Sequence, residues 1–212
     1  MAERPVFFIR GGKVQSRLYA FAWFPGFAAS QKQKSIESLH KAILETDPGA
    51  SPLEISTKGK APLGVKLSAF NLRLNGTALE NVFQSAKVFE NGGPYPDLLT
   101  LPPKEAKRDP RLRESGALTG FLYQSELFPL TPKTAFYDYI YLSAVKESLT
   151  RAELSALSEY NYFTDIEFNP ARSVNTQART VPLIKLLLEE HGCIPDFTKD
   201  SFIQYHQSHV AC

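Results

Sequence analysis

Apolar residues recur along this chain with two periods, and in one stretch the helical period brings polar chemistry with it. Between Leu79 and Lys87 the sequence reads Leu-Glu-Asn-Val-Phe-Gln-Ser-Ala-Lys. At about 100° per residue, Leu79, Val82, Phe83 and Ala86 form one apolar stripe. Glu80, Gln84 and Lys87 then fall within roughly 60° of one another on its flank. That pattern describes a helix with a solvated polar edge. It equally describes one wall of a cleft in which a carboxylate, an amide and an amine meet.

Helical spacing also predicts residues 30–45, with Ser30 as N-cap and Ile36, Leu39, Ile43 and Leu44 as the apolar face. It predicts residues 134–148, 151–160 and 175–191, the last irregular near Pro182. The helix that carries Glu80 is expected to run to the stop signal Asn91-Gly92-Gly93-Pro94. Residues 102–114 read as partly helical, broken at Pro110. Aromatic and branched runs at residues 6–9 and 13–24 flank Gly11-Gly12 and read as a β-hairpin. Short strands are expected at 53–56, 121–130 and 163–168, and a turn at Asn75-Gly76. The fold class is α+β, rich in helix, with short strands and an N-terminal hairpin. The turn-rich stretch ending at Pro52 suggests a hairpin–helix extension over residues 1–52, packed on a main domain over residues 53–212.

Composition narrows the classes. The 212 residues carry a net charge of +2, so polyanion contact must come from a local patch. No run reaches the roughly 20 apolar residues of a membrane span. Two cysteines, Cys193 and Cys212, make neither a disulfide framework nor a zinc site, and a reducing cytoplasm suits them. His40, His191, His206 and His209 have no metal-ligand spacing, and His206 and His209 read as a surface pair. Gly11-Gly12 lacks the lysine and serine of a phosphate loop.

Three further groups carry chemistry. As a strand, residues 163–168 would put Asp165 and Glu167 on one face, about 7 Å apart, and Thr164, Ile166 and Phe168 on the other. That is the layout of an acid/base pair, and also of a strand with a wet face. Ser173 or Asn175 can cap the following helix, whose N-terminus, with Arg172 and Arg179, suits a phosphate. Lys104, Lys107, Arg108, Arg111 and Arg113 could track a nucleic-acid backbone, with Tyr95, Phe121 or Tyr123 as stacking surfaces; a solvated face explains them as well.

The run from Leu67 to Phe89, with Leu67-Ser68-Ala69-Phe70 followed by Glu80, Phe83, Gln84 and Lys87, resembles the signature of the NADAR (YbiA-like) family. The helix motif Glu-x-x-Phe-Gln-x-x-Lys is complete; Ala69 stands where the family carries asparagine. Residues 53–58, 63–71, 88–95 and 163–179 resemble more narrowly the antitoxin branch paired with DarT toxins that modify guanine. The resemblance implies a metal-free, cofactor-free hydrolase that removes ADP-ribose from guanine bases in DNA. Its substrate would be ADP-ribosylated DNA, single-stranded by expectation, its product ADP-ribose, and a DarT-type toxin its cognate partner.

Under that resemblance Lys87 is the candidate nucleophile, with Lys58 and Lys66 as runners-up. Glu80 or Asp165 would shuttle the proton. Gln84 and Asn175 would hold ribose hydroxyls or the guanine edge, and Arg172 and Arg179 the pyrophosphate. Lys58, Ser68, Phe83 and Gln177 complete the expected substrate contacts. A carboxylate-only mechanism with Glu80 and Asp165 stays open beside the lysine one. Two other functions stay open as well. One is an N-glycosidase acting on a ribosylaminopyrimidine intermediate of riboflavin synthesis, as in other members of the family. The other is a non-catalytic module that binds the toxin or the modified DNA.

Overall fold

The computed structural model describes residues 1–26, 28–169, 171, 173 and 176–210. Arg172 and Asn175, both expected at the substrate, lie outside the described residues, as does Cys212. In chain order the elements are β1 (Ala2–Arg10), β2 (Lys13–Phe21), α1 (Ala29–Thr46), β3 (Pro52–Glu54), α2 (Pro62–Lys66), β4 (Arg73–Leu74) and β5 (Thr77–Ala78). Then come α3 (Leu79–Ser85), β6 (Lys87–Phe89), α4 (Pro103–Ala106), α5 (Arg111–Glu114), β7 (Leu118–Tyr123), β8 (Glu126–Phe128) and α6 (Ala135–Ser148). The last are α7 (Arg151–Ser155), β9 (Tyr162–Thr164), α8 (Gln177–His191) and α9 (Lys199–His209). The class is α+β. The chain forms two compact units, one of residues 1–71, 149–195 and 208–212, the other of residues 72–148 and 196–207.

In the first unit, Gly11 and Gly12 both adopt positive φ, the geometry that lets a two-residue turn follow the strand twist. The nine-residue strands β1 and β2 therefore pair antiparallel in full register. Strand β1 pairs antiparallel with β9, and β9 pairs parallel with β3, giving the sheet order β2-β1-β9-β3. Helix α1 lays Ile36, Leu39 and Ile43 on Val6, Tyr19, Phe21 and Ile166. Leu44, predicted on that face, is exposed. The cap also differs: α1 begins at Ala29 behind Ala28, with no side-chain cap, so Ser30 is inside the helix. Helix α8 buries Val181, Leu183, Ile184, Leu186 and Leu187, and stops at Gly192 in the left-handed conformation.

In the second unit, Asn75 and Gly76 both take positive φ and join β4 to β5, as the Asn-Gly pair predicts. The chain then enters α3, which spans 7 residues and ends at Ser85. The sheet β6-β7-β8 takes over because Leu122 N–H donates to Ala86 O and Lys87 pairs with Phe121. The expected long helix is therefore helix, cap and strand, and Asn91–Pro94 closes a turn after β6 rather than a helix. The predicted strand at 121–130 is a hairpin instead, turning at Gln124 and Ser125, both at positive φ. Aromatic rings fill the centre. Phe136 stacks on Phe121 with centroids 4.6 Å apart, and Phe83 and Phe128 lie 6.2 and 5.1 Å from it.

Helix α9 has no counterpart in the sequence reading, because its apolar residues are sparse. It sets His206 against α6, where Nε2 lies 2.8 Å from Asp138 Oδ2 and 3.3 Å from Thr134 Oγ1. His206 is thus buried, not on the surface. His206→Ala would leave the Asp138 carboxyl in a dry interior without this partner. It is expected to destabilise the chain by about 3 kcal/mol, read from the urea midpoint at constant m-value. A loss under about 0.5 kcal/mol, as at a surface position, would contradict this placement.

Candidate functional site

In the second unit, Glu80 and Gln84 lie one turn apart on α3, and Gln84 Nε2 donates to Glu80 Oε1 at 2.7 Å. Lys107 Nζ, arriving from the end of α4, is 3.6 Å from the same oxygen. Gln84 is buried, and its Oε1 meets no partner among the described residues. Lys87 lies on the strand beyond the helix, not on the helix. The turn at Ala86 still brings its Nζ over the Phe83 ring, 5.1 Å from the centroid. Phe83 is itself braced by Phe121, Phe136 and Tyr137. Half-burial pushes the Lys87 amine below its ordinary value. Glu80 opposes that shift, and Lys107 reinforces it. Among the described residues Lys87 Nζ makes no ion pair that would hold it as a cation.

A cleft of about 310 Å³ opens on the other face of α3, lined by Val82, Ser85, Ala86, Leu99, Leu122 and Tyr123. It includes none of Glu80, Gln84 and Lys87. The basic stretch is partly neutralised within the unit. Arg111 pairs with Asp97 and Asp109, and lies 4.5 Å above the Tyr95 ring, covering one of the expected stacking surfaces. Phe121 is buried in the aromatic centre. Lys104, Arg108 and Arg113 are exposed.

In the first unit the strand expected at 163–168 ends at Thr164. Asp165 Oδ1 accepts the N–H groups of Glu167 and Phe168, both at 3.1 Å, and so folds its own backbone into a turn. This corrects the two-carboxylate face: Asp165 is buried and Glu167 is exposed. Burial pushes the Asp165 carboxyl up to about 8, and the charge of Glu54 adds to the rise.

Glu54 is the residue that sequence reasoning missed. It ends β3 almost wholly buried, with Ile166 N–H donating to Oε1 at 2.8 Å and the Thr164 hydroxyl to Oε2 at 2.6 Å. His40, on α1, sits behind Thr164 with Nε2 at 2.9 Å from Oγ1. Burial drives its pKa down to about 4, so the imidazole is neutral near pH 7. An acid flanked by Leu53 and Ile55 in a predicted short strand was the available signal. Gly64 lets α2 close over this strand end, since a Cβ there would lie 2.1 Å from the Glu54 carbonyl oxygen.

The other expected contacts distribute as follows. Lys58 is half-buried on the turn after β3, its N–H bonded to Ser56 Oγ at 3.2 Å. Lys66 is clamped at 2.8 Å by both carboxylate oxygens of Glu153. Ser68 is buried, and its hydroxyl meets no partner among the described residues. Gln177 spends both ends of its amide on the backbone, accepting from Ala69 N–H and donating to Ile55 O. Arg179 is half-buried in the first turn of α8. That helix is preceded by Thr176, not by Ser173 or Asn175, as its N-cap residue, and no side chain caps it.

No curated protein matches the chain. The family model described as the DarT1-associated NADAR antitoxin matches residues 2–211, so the N-terminal hairpin falls within the match. The chain belongs to the DarT1-associated NADAR antitoxin family.

Proposed function

We propose that the chain is a glycohydrolase that removes ADP-ribose from guanine bases in DNA, and so reverses modification by a DarT-type toxin. One observation carries the reading: the Lys87 amine is partly desolvated over an aromatic ring, beside a carboxylate, with no ion pair among the described residues to hold it. A lysine of lowered proton affinity is neutral for a larger part of the time and is then a nucleophile.

The ribose ring opens to an iminium between its anomeric carbon and the guanine nitrogen. Lys87 Nζ adds to that carbon. The carbon–guanine bond breaks as the guanine nitrogen takes a proton, leaving a protonated imine on the lysine. Water adds to the imine, the lysine departs, and ADP-ribose is released. Glu80 serves as proton carrier, with Gln84 fixing its orientation through the 2.7 Å bond. Gln84 Oε1, buried without a partner among the described residues, is the acceptor offered to a sugar hydroxyl or a guanine N–H.

A second reading assigns the nucleophile to Lys58 in the other unit, with Asp165 as the acid. It is favoured by the half-buried position of Lys58 on the turn after β3. Lys58 N–H donates to Ser56 Oγ, and Ser56 in turn bonds the Glu54 carboxylate.

Borohydride added during turnover of a guanine-ADP-ribosylated oligonucleotide separates the two. The first reading expects a reduced ADP-ribosyl adduct on the peptide containing Lys87. It expects turnover by Lys87→Arg to fall on the order of 10³-fold with loss of the adduct. An adduct on Lys58 transfers the role to that residue. Turnover near normal in both arginine variants, with no adduct, leaves the carboxylate-only mechanism.

DNA as substrate also predicts a salt dependence. Neutralising Lys104, Arg108 and Arg113 together should reduce the slope of log kcat/KM against log salt by about 2, at about 0.7 per single-strand phosphate contact. An unchanged slope would favour a small soluble substrate of the ribosylaminopyrimidine kind.

A further inference from the structure

Glu54 is a buried acid that neither lysine reading uses. Its carboxylate gathers three donors: Ile166 N–H, the Thr164 hydroxyl and the Ser56 hydroxyl. The two hydroxyls each have a donor behind them. Ser56 Oγ accepts from Lys58 N–H, and Thr164 Oγ1 lies 2.9 Å from Nε2 of the neutral His40. Burial raises the Glu54 carboxyl as well, and the three hydrogen bonds oppose that rise, since protonation would turn one of those donors away.

Asp165 stands between Thr164 and Ile166, two of the residues that bind Glu54, and its oxygens are unequal. Oδ1 takes two backbone N–H groups, while Oδ2 has the Thr176 hydroxyl at 3.4 Å. Among the described residues Oδ2 has the fewer and longer contacts, and it is the oxygen with room for a proton. Among the described residues, the other charged groups that act on this pair are Glu167, in the turn after β9, and Arg4, on β1. Two buried carboxyls whose charges act on one another resist joint ionisation.

We propose that Glu54 is a positioning residue that stays ionised and keeps the proton of the pair on Asp165 Oδ2, so that Asp165 meets substrate as an acid. The catalytic consequence rests on the reading in which guanine is the leaving group and Asp165 its acid. As the carbon–nitrogen bond breaks, Asp165 gives its proton to the guanine nitrogen. The resulting carboxylate then takes a proton from the water that releases the sugar, and the pair is reset. The raised proton affinity of Asp165 agrees with this arrangement.

The test is the carboxyl ¹³C resonance of Asp165 in the full chain, labelled at aspartate Cγ and assigned with Asp165→Asn. Wild type is expected to show a protonated Asp165 at pH 7, titrating near 8. In Glu54→Gln the midpoint should fall by about one pKa unit or more. Thr164→Val, which removes one donor and shifts the proton toward Glu54, should move it the same way by less. The alkaline limb of kcat on ADP-ribosylated oligonucleotide should follow the Asp165 midpoint. An Asp165 already ionised at pH 7 in wild type overturns the proposal without recourse to a variant, as does an unmoved midpoint in a folded Glu54→Gln. The expected shifts in a protein that leaves guanine-linked ADP-ribose intact would uphold the carboxyl pair and sink the substrate reading.

Discussion

Charge taken out of water must be met by donors or surrender its proton, and that constraint organises the chemistry of this chain. In the first unit Glu54 is met by three donors and Asp165 by two backbone N–H groups on a single oxygen. The donors come from β9 and the turns after β3 and β9, and behind one of them His40 on α1 reaches the Thr164 hydroxyl. In the second unit the Lys87 amine has an aromatic face and a nearby carboxylate and, among the described residues, no ion pair. Contrast Lys66, whose Nζ is gripped by both oxygens of Glu153.

Local structure sets those environments. Had α3 continued to Asn91, Lys87 would have stayed on the helical flank with Glu80 and Gln84. Capture of Ala86 by β7 ends the helix after 7 residues and turns the next side chain over Phe83. The aromatic cluster of Phe83, Phe121 and Phe136 keeps that ring in place. The ring excludes water from one side of the amine, which a solvated helical flank would not do.

Much of the frame could be read from residue pattern. Gly11-Gly12 and Asn75-Gly76 announced their hairpins because only a few residue types accept positive φ. The stripes on α1 and α8 announced buried faces. The motif from Glu80 to Lys87, with the segments around it, pointed to the family whose model matches residues 2–211. What pattern missed was set by long-range partners. Alternation put Asp165 and Glu167 on one face, but Asp165 Oδ1 captures two backbone N–H groups and ends the strand. Glu54 falls in a predicted short strand with nothing to mark it as buried, and α1 and α2 closing over β3 make it dry. His206 reads as surface because the acid it meets, Asp138, is 68 residues away.

The central claim is catalysis on a guanine-linked sugar, and one measurement bears on it most directly. Guanine-ADP-ribosylated oligonucleotide in large excess over the protein is incubated in ¹⁸O-water, and the products are weighed. The claim requires many equivalents of unmodified oligonucleotide per protein, with free ADP-ribose carrying the heavy oxygen at its anomeric carbon. Unaltered oligonucleotide, or loss of modification limited to one equivalent with nothing released, would contradict it and leave a binding module in its place.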